Sequence, residues 1–164
     1  MTQYDAVYGE TSKFRYLVLA AATTTRPADF NAAALPLPEL STTDMPAQVS
    51  TKTDTPPKVY GSPAAGTAVT WQKPRPDTGS WTAALSGNVL PTKAERTNMQ
   101  TMYAALGKYV WIERQMNTDD TWEGGCALVT STGKPIPADG YVTFSLGLTG
   151  YGPKYNDTAT IPAP

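Results

Sequence analysis

The chain has 164 residues, which is enough for one domain with a hydrophobic core and too few for two comfortable domains. Only 16% of the residues are charged and the net charge is −1, with no cluster of Lys or Arg, which argues against tight nucleic-acid binding through phosphates. The absence of histidine removes the commonest general base and zinc ligand, and the single cysteine, Cys126, excludes an intramolecular disulfide and fits folding in a reducing cytoplasm.

The N-terminal region predicts an arm followed by a buried strand. Residues 1–13 are polar and aperiodic, which is typical of an extended arm. Residues 14–22 alternate, with Phe14 and Tyr16 on one face and Leu17 on the other, so we expect a strand covered on both sides. The apolar run is too short for a signal peptide, and no segment approaches the roughly 20 apolar residues of a transmembrane helix.

Residues 23–67 differ in composition from the rest of the chain, because they are rich in Ala, Thr and Pro. Proline removes a hydrogen-bond donor and fixes φ, so this region predicts a long inter-strand loop without long central strands. A loop of this length inside one domain is either a surface excursion or a segment that becomes ordered against a neighbouring subunit.

A short strand over residues 68–72, a turn over 73–79 and a second strand over 80–89 follow. Pro74 and Pro76, with a glycine at the end, predict the turn. The second strand alternates between apolar and small polar side chains, which predicts one buried face. The side chains on its apolar face are Trp81, Ala83 and Leu85.

One helix is predicted over residues 92–106. Thr92 and Glu95 have the spacing of a capping box, in which the two side chains satisfy free backbone donors at a helix start. Apolar side chains then recur at helical spacing and form one stripe. The stripe consists of Met99, Met102, Tyr103 and Leu106. Gly107 follows it and suits the left-handed conformation that ends many helices.

Three strands are predicted after the helix, over residues 108–116, 122–131 and 141–149. The first has apolar side chains on both faces, so we expect it to be central or covered on both sides. In the second, Gly124 and Gly125 predict a β-bulge or a close approach of two backbones.

The third of these strands has one apolar and one small polar face. Val142, Phe144, Leu146 and Leu148 lie on the apolar face, and Tyr141, Thr143, Ser145, Gly147 and Thr149 lie on the other. Residues 151–164 are polar and aperiodic, and they predict a C-terminal arm.

No catalytic, metal or cofactor site is predicted. Asp119 and Asp120 with Glu123 could form an acidic metal site, but two adjacent acids at a predicted hairpin tip usually face solvent, and the spacing of a calcium-binding loop is absent. Glu113 and Glu123 could face each other as the paired carboxylates of a glycosidase, with a solvated strand face as the alternative. Cys126 has no neighbouring base and is predicted to be a buried apolar group. We therefore expect a protein that is not an enzyme.

The order of elements from residue 80 to residue 153 carries a family resemblance. It runs strand, single helix, strand, a Gly-Gly-x-Ala-x-Val-Thr-Ser strand beginning at Gly124 and Gly125, and a last strand closing on Gly-x-Gly-Pro. This succession resembles the major tail tube proteins of long, non-contractile-tailed bacteriophages. The matching residues are Val129, Thr130 and Ser131, and Gly150, Gly152 and Pro153. The resemblance implies a mainly β protein with one α-helix, a β-sandwich or barrel-like tail tube fold with a long Pro/Thr-rich loop and extended terminal arms.

The resemblance also implies a structural virion protein. Its copies would close into homohexameric rings, and the rings would stack through residues 23–67 and the two arms. DNA would pass through the lumen without specific binding, and Thr143, Ser145 and Gly147 would line the lumen or a ring contact. The implied partners are further copies of the chain and other tail proteins (tape measure, terminator and distal tail). The implied location is the phage tail, assembled in the bacterial cytoplasm.

Alternative interpretations remain open on the residues alone. Aromatic residues are spread over many predicted strands, which favours core or subunit contacts, yet exposed Trp and Tyr would also suit a carbohydrate-binding or adhesin-type β-sandwich. A head–tail connector or terminator is also built from β-rich rings. A hydrolase would need a cleft with paired acids.

Overall fold

The structure is a computed structural model that describes residues 13–37, 40–53, 74–89, 93–115, 121–135 and 142–156. Several predictions fall outside these residues. They are the N-terminal arm up to residue 12, the strand over 68–72, Thr92 of the capping box together with the Glu95 side chain, the acidic pair Asp119 and Asp120, and the C-terminal arm from residue 157.

The described residues form eight strands and two helices, and the prediction of a mainly β protein is confirmed. In chain order the elements are β1 (Lys13–Val18), α1 (Phe30–Ala33), β2 (Leu35–Pro36), β3 (Leu40–Asp44), β4 (Ala47–Thr53), β5 (Pro74–Asn88), α2 (Lys93–Tyr103), β6 (Tyr109–Gln115), β7 (Glu123–Gly133) and β8 (Thr143–Tyr155). Helix α1 is a single turn, so α2 is the one helix of substantial length in this part of the chain.

The strands form one curled antiparallel sheet in the order β2-β1-β6-β7-β8-β5-β3, with β4 paired to β5 beside this path. Strand β5 is long enough to have two partners along one edge, because β3 pairs with its second half and β4 with its first half. The other edge of its second half pairs with β8. The first half of β5 and its partner β4 therefore leave the sheet as a two-stranded extension.

Helix α2 covers one face of the sheet and encloses the main core. The alternation predicted for the strands over 80–89 and 141–149 is confirmed, because the apolar side chains of β5 and β8 point into this core. The nearly fully buried side chains contributed by β5, β8 and the α2 region are Trp81, Ala83, Leu85, Phe144, Leu146, Leu148, Met99, Met102 and Ala105.

Helix α2 ends earlier than predicted. The first three residues of its apolar stripe are buried or half-buried, but Leu106 is 53% exposed. The regular helix stops at Tyr103, and the chain then tightens into a turn in which the Ala105 N–H donates to the Met102 carbonyl at 3.1 Å. Ala105 therefore points into the core in place of Leu106. Gly107 has a φ of +76°, which confirms its left-handed conformation.

A buried tyrosine joins β1 to α2. The Tyr16 side chain is fully buried, and its hydroxyl donates a hydrogen bond to the backbone carbonyl of Asn98. The Asn98 side chain in turn donates to the Pro36 carbonyl at 3.2 Å, which links the helix to β2. These polar contacts fix α2 over the first strand of the sheet.

Replacing Tyr16 by phenylalanine should reduce the loss of stability at alkaline pH. Burial raises the pKa of Tyr16 to about 12, whereas an exposed tyrosine has a pKa of about 10. The folded protein therefore holds this proton more tightly than the unfolded chain, and the stabilisation is fully present below about pH 10. It is lost as the pH rises toward about 12. Urea unfolding at about pH 8 and about pH 11 should show a smaller loss for Tyr16→Phe than for wild type; equal losses would contradict the assignment.

The opposite face of β1, β6 and β7 is covered by residues 19–34, which include α1. Phe30 of α1 is buried together with Trp111 and Cys126, and these side chains form a second, smaller core. Tyr155 of β8 stacks on Trp111 with ring centroids 6.2 Å apart. Strands β1 and β6 are therefore covered on both faces, as their sequences predict.

The prediction of one long loop over residues 23–67 is wrong for its described part, because that part contains α1, β2, β3 and β4. Strand β3 lies at the edge of the sheet path, and β4 pairs only with the extension of β5. Both pairings contain an irregular register. Prolines are tolerated at such positions, because an edge strand needs fewer backbone donors than a central one. A proline-rich composition therefore did not prevent strand formation.

Two strands extend beyond their predicted limits. The predicted turn over residues 73–79 is wrong, since β5 begins at Pro74, which pairs with Thr53, and Pro76 pairs with Thr51. Among the described residues, β4 is the partner of this stretch of β5, and no described strand pairs with its other edge, where a missing N–H of proline costs no ladder bond. At the other end, β8 continues to Tyr155, so the segment predicted as a C-terminal arm over 151–164 begins as strand.

Candidate functional site

Small uncharged side chains form the outward surface of the second half of β5, the end of β7 and the first half of β8, which we call the neutral face. Its residues are Thr82, Ala84, Ser86, Asn88, Ser131, Thr143, Ser145, Gly147 and Thr149. All are exposed or half-buried. The register aligns them in pairs across the strands, for example Thr82 with Thr149 and Ser86 with Ser145. By register the nearest acid is Asp44, which lies opposite Ala84 on the edge strand β3.

The predicted lumen or ring-contact residues Thr143, Ser145 and Gly147 all lie on the neutral face. Their neighbours Phe144 and Leu146 point the other way, into the core under α2. The predicted residues are therefore on the side of the sheet away from the helix. Their role in a lumen or a ring contact stays a prediction.

Close packing explains why part of the neutral face consists of small residues. A Cβ at Gly147 would overlap the Ser131 hydroxyl, and a Cβ at Gly133 would lie 2.6 Å from the Ser145 hydroxyl. The Thr130 hydroxyl donates to the Gly147 carbonyl at 3.0 Å. Neighbouring strands are thus tied together on this face by short side chains, with little room for larger ones.

The glycines of the predicted motifs come together around Trp81, which is 3% exposed. A Cβ at Gly150 would overlap the indole ring, and a Cβ at Gly125 would lie 3.1 Å from its Cζ2. The indole N–H donates to the Gly152 carbonyl at 3.1 Å, and Gly152 has a φ of +72°. These motif residues therefore pack directly around the buried Trp81 side chain.

The predicted irregularity at Gly124 and Gly125 is confirmed. Gly124 lies opposite Tyr155 while Cys126 lies opposite Tyr151, so three residues of β8 oppose the single residue Gly125 of β7. A Cβ at Gly124 would overlap the Ile112 carbonyl of the neighbouring strand. The backbones approach closely here, and only glycine fits.

Of the remaining motif residues, Val129 is buried in the main core, Ser131 belongs to the neutral face, and Thr130 is exposed beside it. Pro153 lies in the bulged part of β8, and a Cβ at Gly125 would be 2.9 Å from its carbonyl oxygen. The motif residues are thus placed for packing between strands. A direct role in assembly stays a prediction for each of them.

Replacing Gly150 by alanine should destabilise the fold by about 1–3 kcal/mol, because the added methyl group cannot fit beside the Trp81 ring without shifting it. Gly79→Ala is the matched control, since a Cβ there would have nothing within 4 Å. It should change the free energy of unfolding by less than about 0.5 kcal/mol. Urea unfolding of the three proteins tests the pair, and similar values for both variants would contradict the packing around Trp81.

The predicted pairing of Glu113 with Glu123 is wrong. Arg114 pairs with Glu123 across the strands and Glu113 pairs with Gly124, so the two carboxylates lie on opposite faces of the sheet. Nor is Glu113 on a solvated face, because its side chain is fully buried. The structure does not bring these residues together as an acid–base pair.

Glu113 is instead the centre of a buried ionic cluster. Arg15 donates two hydrogen bonds to Glu113 Oε2, at 3.1 Å from Nε and 2.6 Å from Nη2. Arg26 donates from Nε to Oε1 at 2.6 Å and from Nη2 to Oε2 at 3.1 Å. The Trp111 indole adds a bond to Oε1 at 3.0 Å. Both guanidinium groups also lie near the Phe30 ring, at 5.1 and 4.9 Å from its centroid.

The cluster fixes the segment that covers the second core. Arg26 belongs to residues 19–34 and also donates to the Asn31 side chain at 2.7 Å. Arg15 lies on β1, with its guanidinium 3.9 Å from the centroid of the Trp122 ring. Neither arginine is predicted from the sequence to be a site residue. Their separation from Glu113, by 98 and 87 positions, leaves no local sequence signal for the contact.

Among the described residues, the extension formed by β4 and the first half of β5 is the most exposed part of the sheet. We call residues 47–53 and 74–80 the ribbon. The described side chains in both strands are exposed on both faces, and Val49 is 59% exposed. Within the ribbon, the Ser50 hydroxyl accepts a hydrogen bond from the Thr78 N–H at 3.0 Å. An isolated two-stranded hairpin is marginally stable in water, so this surface is suited to being covered by another molecule.

The other candidate sites have no support in the described part of the chain. It contains no group of three or more His, Cys, Asp or Glu side chains that could hold a metal. Burial raises the pKa of the Cys126 thiol, as expected for an apolar group. Tyr151 is the one aromatic side chain that is exposed among the described residues. No helix in the described residues is long and apolar enough to cross a membrane.

Comparison with known proteins gives matches at the level of structure. No family model and no curated protein matches the sequence. The tail of an empty gene transfer agent particle, solved with C6 symmetry, is 13% identical with a TM-score of 0.57, covering 90% of this chain and 96% of that one. The SPP1 tail tube is 16% identical with a TM-score of 0.60, covering 93% and 79%. The virion of a native gene transfer agent particle is 12% identical with a TM-score of 0.55, covering 90% and 96%.

The structural likeness is much wider than the sequence resemblance, which is limited to residues 80–153. It includes at least 90% of the chain in each of the three comparisons. The predicted fold is therefore confirmed over nearly the whole length of the molecule: this chain has the tail tube fold.

Proposed function

We propose that copies of this chain form a phage-type tail tube, in which rings stack around a lumen that conducts DNA. The observation that carries the proposal is the shared fold over at least 90% of the chain with subunits of assembled tails and virions. The C6 symmetry of the gene transfer agent tail supports rings of six subunits. The role is structural rather than catalytic, and the site of action is the virion tail. Further partners would be the other tail proteins, namely tape measure, terminator and distal tail.

The neutral face is the surface that we assign to the lumen. A DNA conduit must not bind phosphates, and each Lys or Arg near the duplex would add a counterion-release contribution to binding. The neutral face extends over three neighbouring strands without a charged side chain. A continuous sheet made of six such faces would present hydroxyl and amide groups to DNA, and it would leave few free strand edges.

The ribbon is the surface that we assign to stacking. Its two strands are hydrogen-bonded to each other and are exposed on both faces. Contact with a neighbouring ring would cover it. Such a contact joins two different surfaces of identical subunits, and heterologous contacts of this kind repeat without limit along an axis. Rings that stack in this way grow into a tube.

Trimming the ribbon should abolish tubes without unfolding the subunit. Gln48 and Ser80 are directly paired, so a two-residue Asn-Gly turn can replace residues 49–79 and keep the register. Deletion of all of residues 23–67 would be a poorer variant, because it would also remove Phe30 and Arg26 from the second core. Negative-stain electron microscopy over a concentration series, with unfolding curves of both proteins, tests the proposal.

Hollow tubes for wild type and single rings or monomers for the trimmed variant would support both tube formation by this chain and the stacking role of the ribbon. Tubes for both proteins would remove the stacking role of the ribbon. Wild-type rings that never stack would identify a connector or terminator ring instead of a tube. Monomers at every concentration, combined with saturable binding in a glycan screen, would favour the carbohydrate-binding module.

A further inference from the structure

We propose that Arg114, Glu123 and Lys154 are positioning residues that fix the direction in which the ribbon leaves the sheet. They lie on β6, β7 and β8, away from the ribbon itself. Their geometry belongs to the single subunit, and only the consequence for stacking depends on the proposed function.

The chain enters the ribbon through the short link between β3 and β4. Met45 in this link is 2% exposed, so its side chain is anchored in the main core. The next residue, Pro46, accepts a hydrogen bond from the Thr82 N–H at 3.1 Å. The first ribbon residue, Ala47, follows directly and pairs with Trp81. The orientation of the ribbon is therefore decided at this link.

Two cationic side chains from distant strands donate hydrogen bonds to backbone carbonyl groups, one near the end of β3 and one in the link. Arg114 Nη1 donates to the Thr43 carbonyl at 2.6 Å. Lys154 Nζ donates to the Met45 carbonyl at 2.9 Å. In the sheet order, β6 is separated from β3 by β7, β8 and β5, so Arg114 reaches Thr43 across the curl of the sheet and not along a ladder. These bonds connect the base of the ribbon to strands β6 and β8.

Glu123 holds both cations in place. Arg114 Nε donates to Glu123 Oε1, and Lys154 Nζ lies 3.1 Å from Glu123 Oε2. The side chains of Arg114, Glu123 and Lys154 are only 17%, 15% and 11% exposed. Burial alone would raise the pKa of Glu123, but the hydrogen bonds and charges of Arg114 and Lys154 outweigh it and hold the pKa below its usual value. The carboxylate therefore stays ionised and keeps the three side chains together.

A small rotation at the link would have a large effect at the end of the ribbon. β4 has seven residues, and at about 3.3 Å per residue it is roughly 20 Å long. A rotation of about 10° at its base would displace its end by roughly 4 Å, by the same strand geometry. The described ribbon side chains are exposed on both faces, so the hydrophobic core does not pack against the ribbon along its length. The contacts that fix the link therefore determine the direction of the ribbon.

The test measures the direction of the ribbon in the single subunit. Spin labels at Lys52→Cys near the end of the ribbon and Gln100→Cys on the exposed side of α2, away from the axis of β5, give a distance distribution in a Cys126→Ala background, below the concentration at which copies assemble. Lys154→Met and Glu123→Gln each remove part of the network. Lys154→Arg retains a cationic donor, and Lys134→Met removes an exposed lysine outside the network.

Lys52 lies about 16 Å from the base of the ribbon, so a rotation of about 10° would move it by about 3 Å. We expect the distribution to broaden by about this amount or more in Lys154→Met and in Glu123→Gln. It should stay narrow in Lys154→Arg and Lys134→Met. A purely structural role would lower the melting temperature without broadening the distribution, and that result in both network variants would overturn the proposal.

Assembly of the same variants separates this inference from the proposed function. A broadened distribution with normal tube growth would support the positioning role and remove the ribbon from stacking. An unchanged distribution with loss of tubes would overturn the positioning role, while leaving tube formation by the wild-type protein intact.

Discussion

Replacing Glu113 by alanine should destabilise the fold by about 3–5 kcal/mol, the usual effect of removing one partner from a buried ion pair. The carboxylate is fully buried and accepts hydrogen bonds from Arg15, Arg26 and Trp111. Without it, two guanidinium groups would face each other around a cavity without an anion. A typical domain has a free energy of unfolding of only about 5–15 kcal/mol, so this single change would remove a large fraction of the stability.

The exposure of the two arginines determines which part of the structure opens first. Their side chains are 24% and 19% exposed for Arg15 and Arg26, so both can turn toward water when Glu113 is absent. Arg26 would then release residues 19–34 from the sheet, because it is a charged anchor of that segment. Hydrogen exchange should accordingly show early loss of protection around Phe30, before the strands under α2 open.

Asp44→Asn is the matched control for Glu113→Ala. Asp44 is an exposed acid on an edge strand, so its replacement should change the free energy of unfolding by less than about 0.5 kcal/mol. Denaturant unfolding at neutral pH measures both variants. If Glu113→Ala lost no more stability than Asp44→Asn, the ionic cluster would not hold the second core together.

The parts of the fold that the sequence predicted correctly are those governed by neighbouring residues. Alternation along β8 placed Phe144 and Leu146 inward and Thr143 outward, because successive side chains of a strand point to opposite faces. The glycine pair in β7 predicted the close approach of backbones, since glycine is required where a Cβ would overlap a neighbouring strand. In each case the cause and its signal lie within a few residues.

The predictions that failed depend on contacts between distant residues. Pro76 looked like a turn residue, but it lies in a strand because residues 47–53 pair with that stretch of β5. Glu113 looked like a surface or catalytic acid, but Arg15 and Arg26 bury it from 98 and 87 positions away. Leu106 continues the helical stripe in the sequence, but the tightened turn after Tyr103 puts Ala105 in the core and leaves Leu106 exposed. Tertiary contacts overrode local preference at each of these positions.

Adding lysines to the neutral face should turn a non-binding lumen into one that retains DNA. Thr143 and Thr149 are both exposed on β8, so Thr143→Lys with Thr149→Lys should be accommodated without disturbing the core. With the sixfold symmetry of the gene transfer agent tail, each ring would carry roughly twelve added cations directed at the duplex. If about six of them contact phosphates, the affinity should fall about 10³-fold between about 50 and 200 mM salt.

Nuclease protection distinguishes DNA in the lumen from DNA on the outside of the tube. A short labelled duplex is mixed with assembled tubes, treated with nuclease and recovered by sedimentation. We expect protected DNA with the double lysine variant at low salt and none with wild type. Two controls are matched to it: Thr143→Gln with Thr149→Gln adds size without charge, and Gln100→Lys with Ala104→Lys adds the same charge at exposed positions in and just beyond α2.

The results for these variants together decide whether the neutral face lines the lumen or forms a contact between subunits. A lumen predicts that both double variants at Thr143 and Thr149 form tubes, because neither position would lie between subunits, and that only the lysine variant at these positions protects DNA. A ring contact predicts the reverse: lysines or glutamines at Thr143 and Thr149 would prevent tube formation, since both positions would be buried between copies. Because like charges repel across such a contact, the lysine variant would then assemble less well than the glutamine variant, and the difference would shrink as added salt screens the charges.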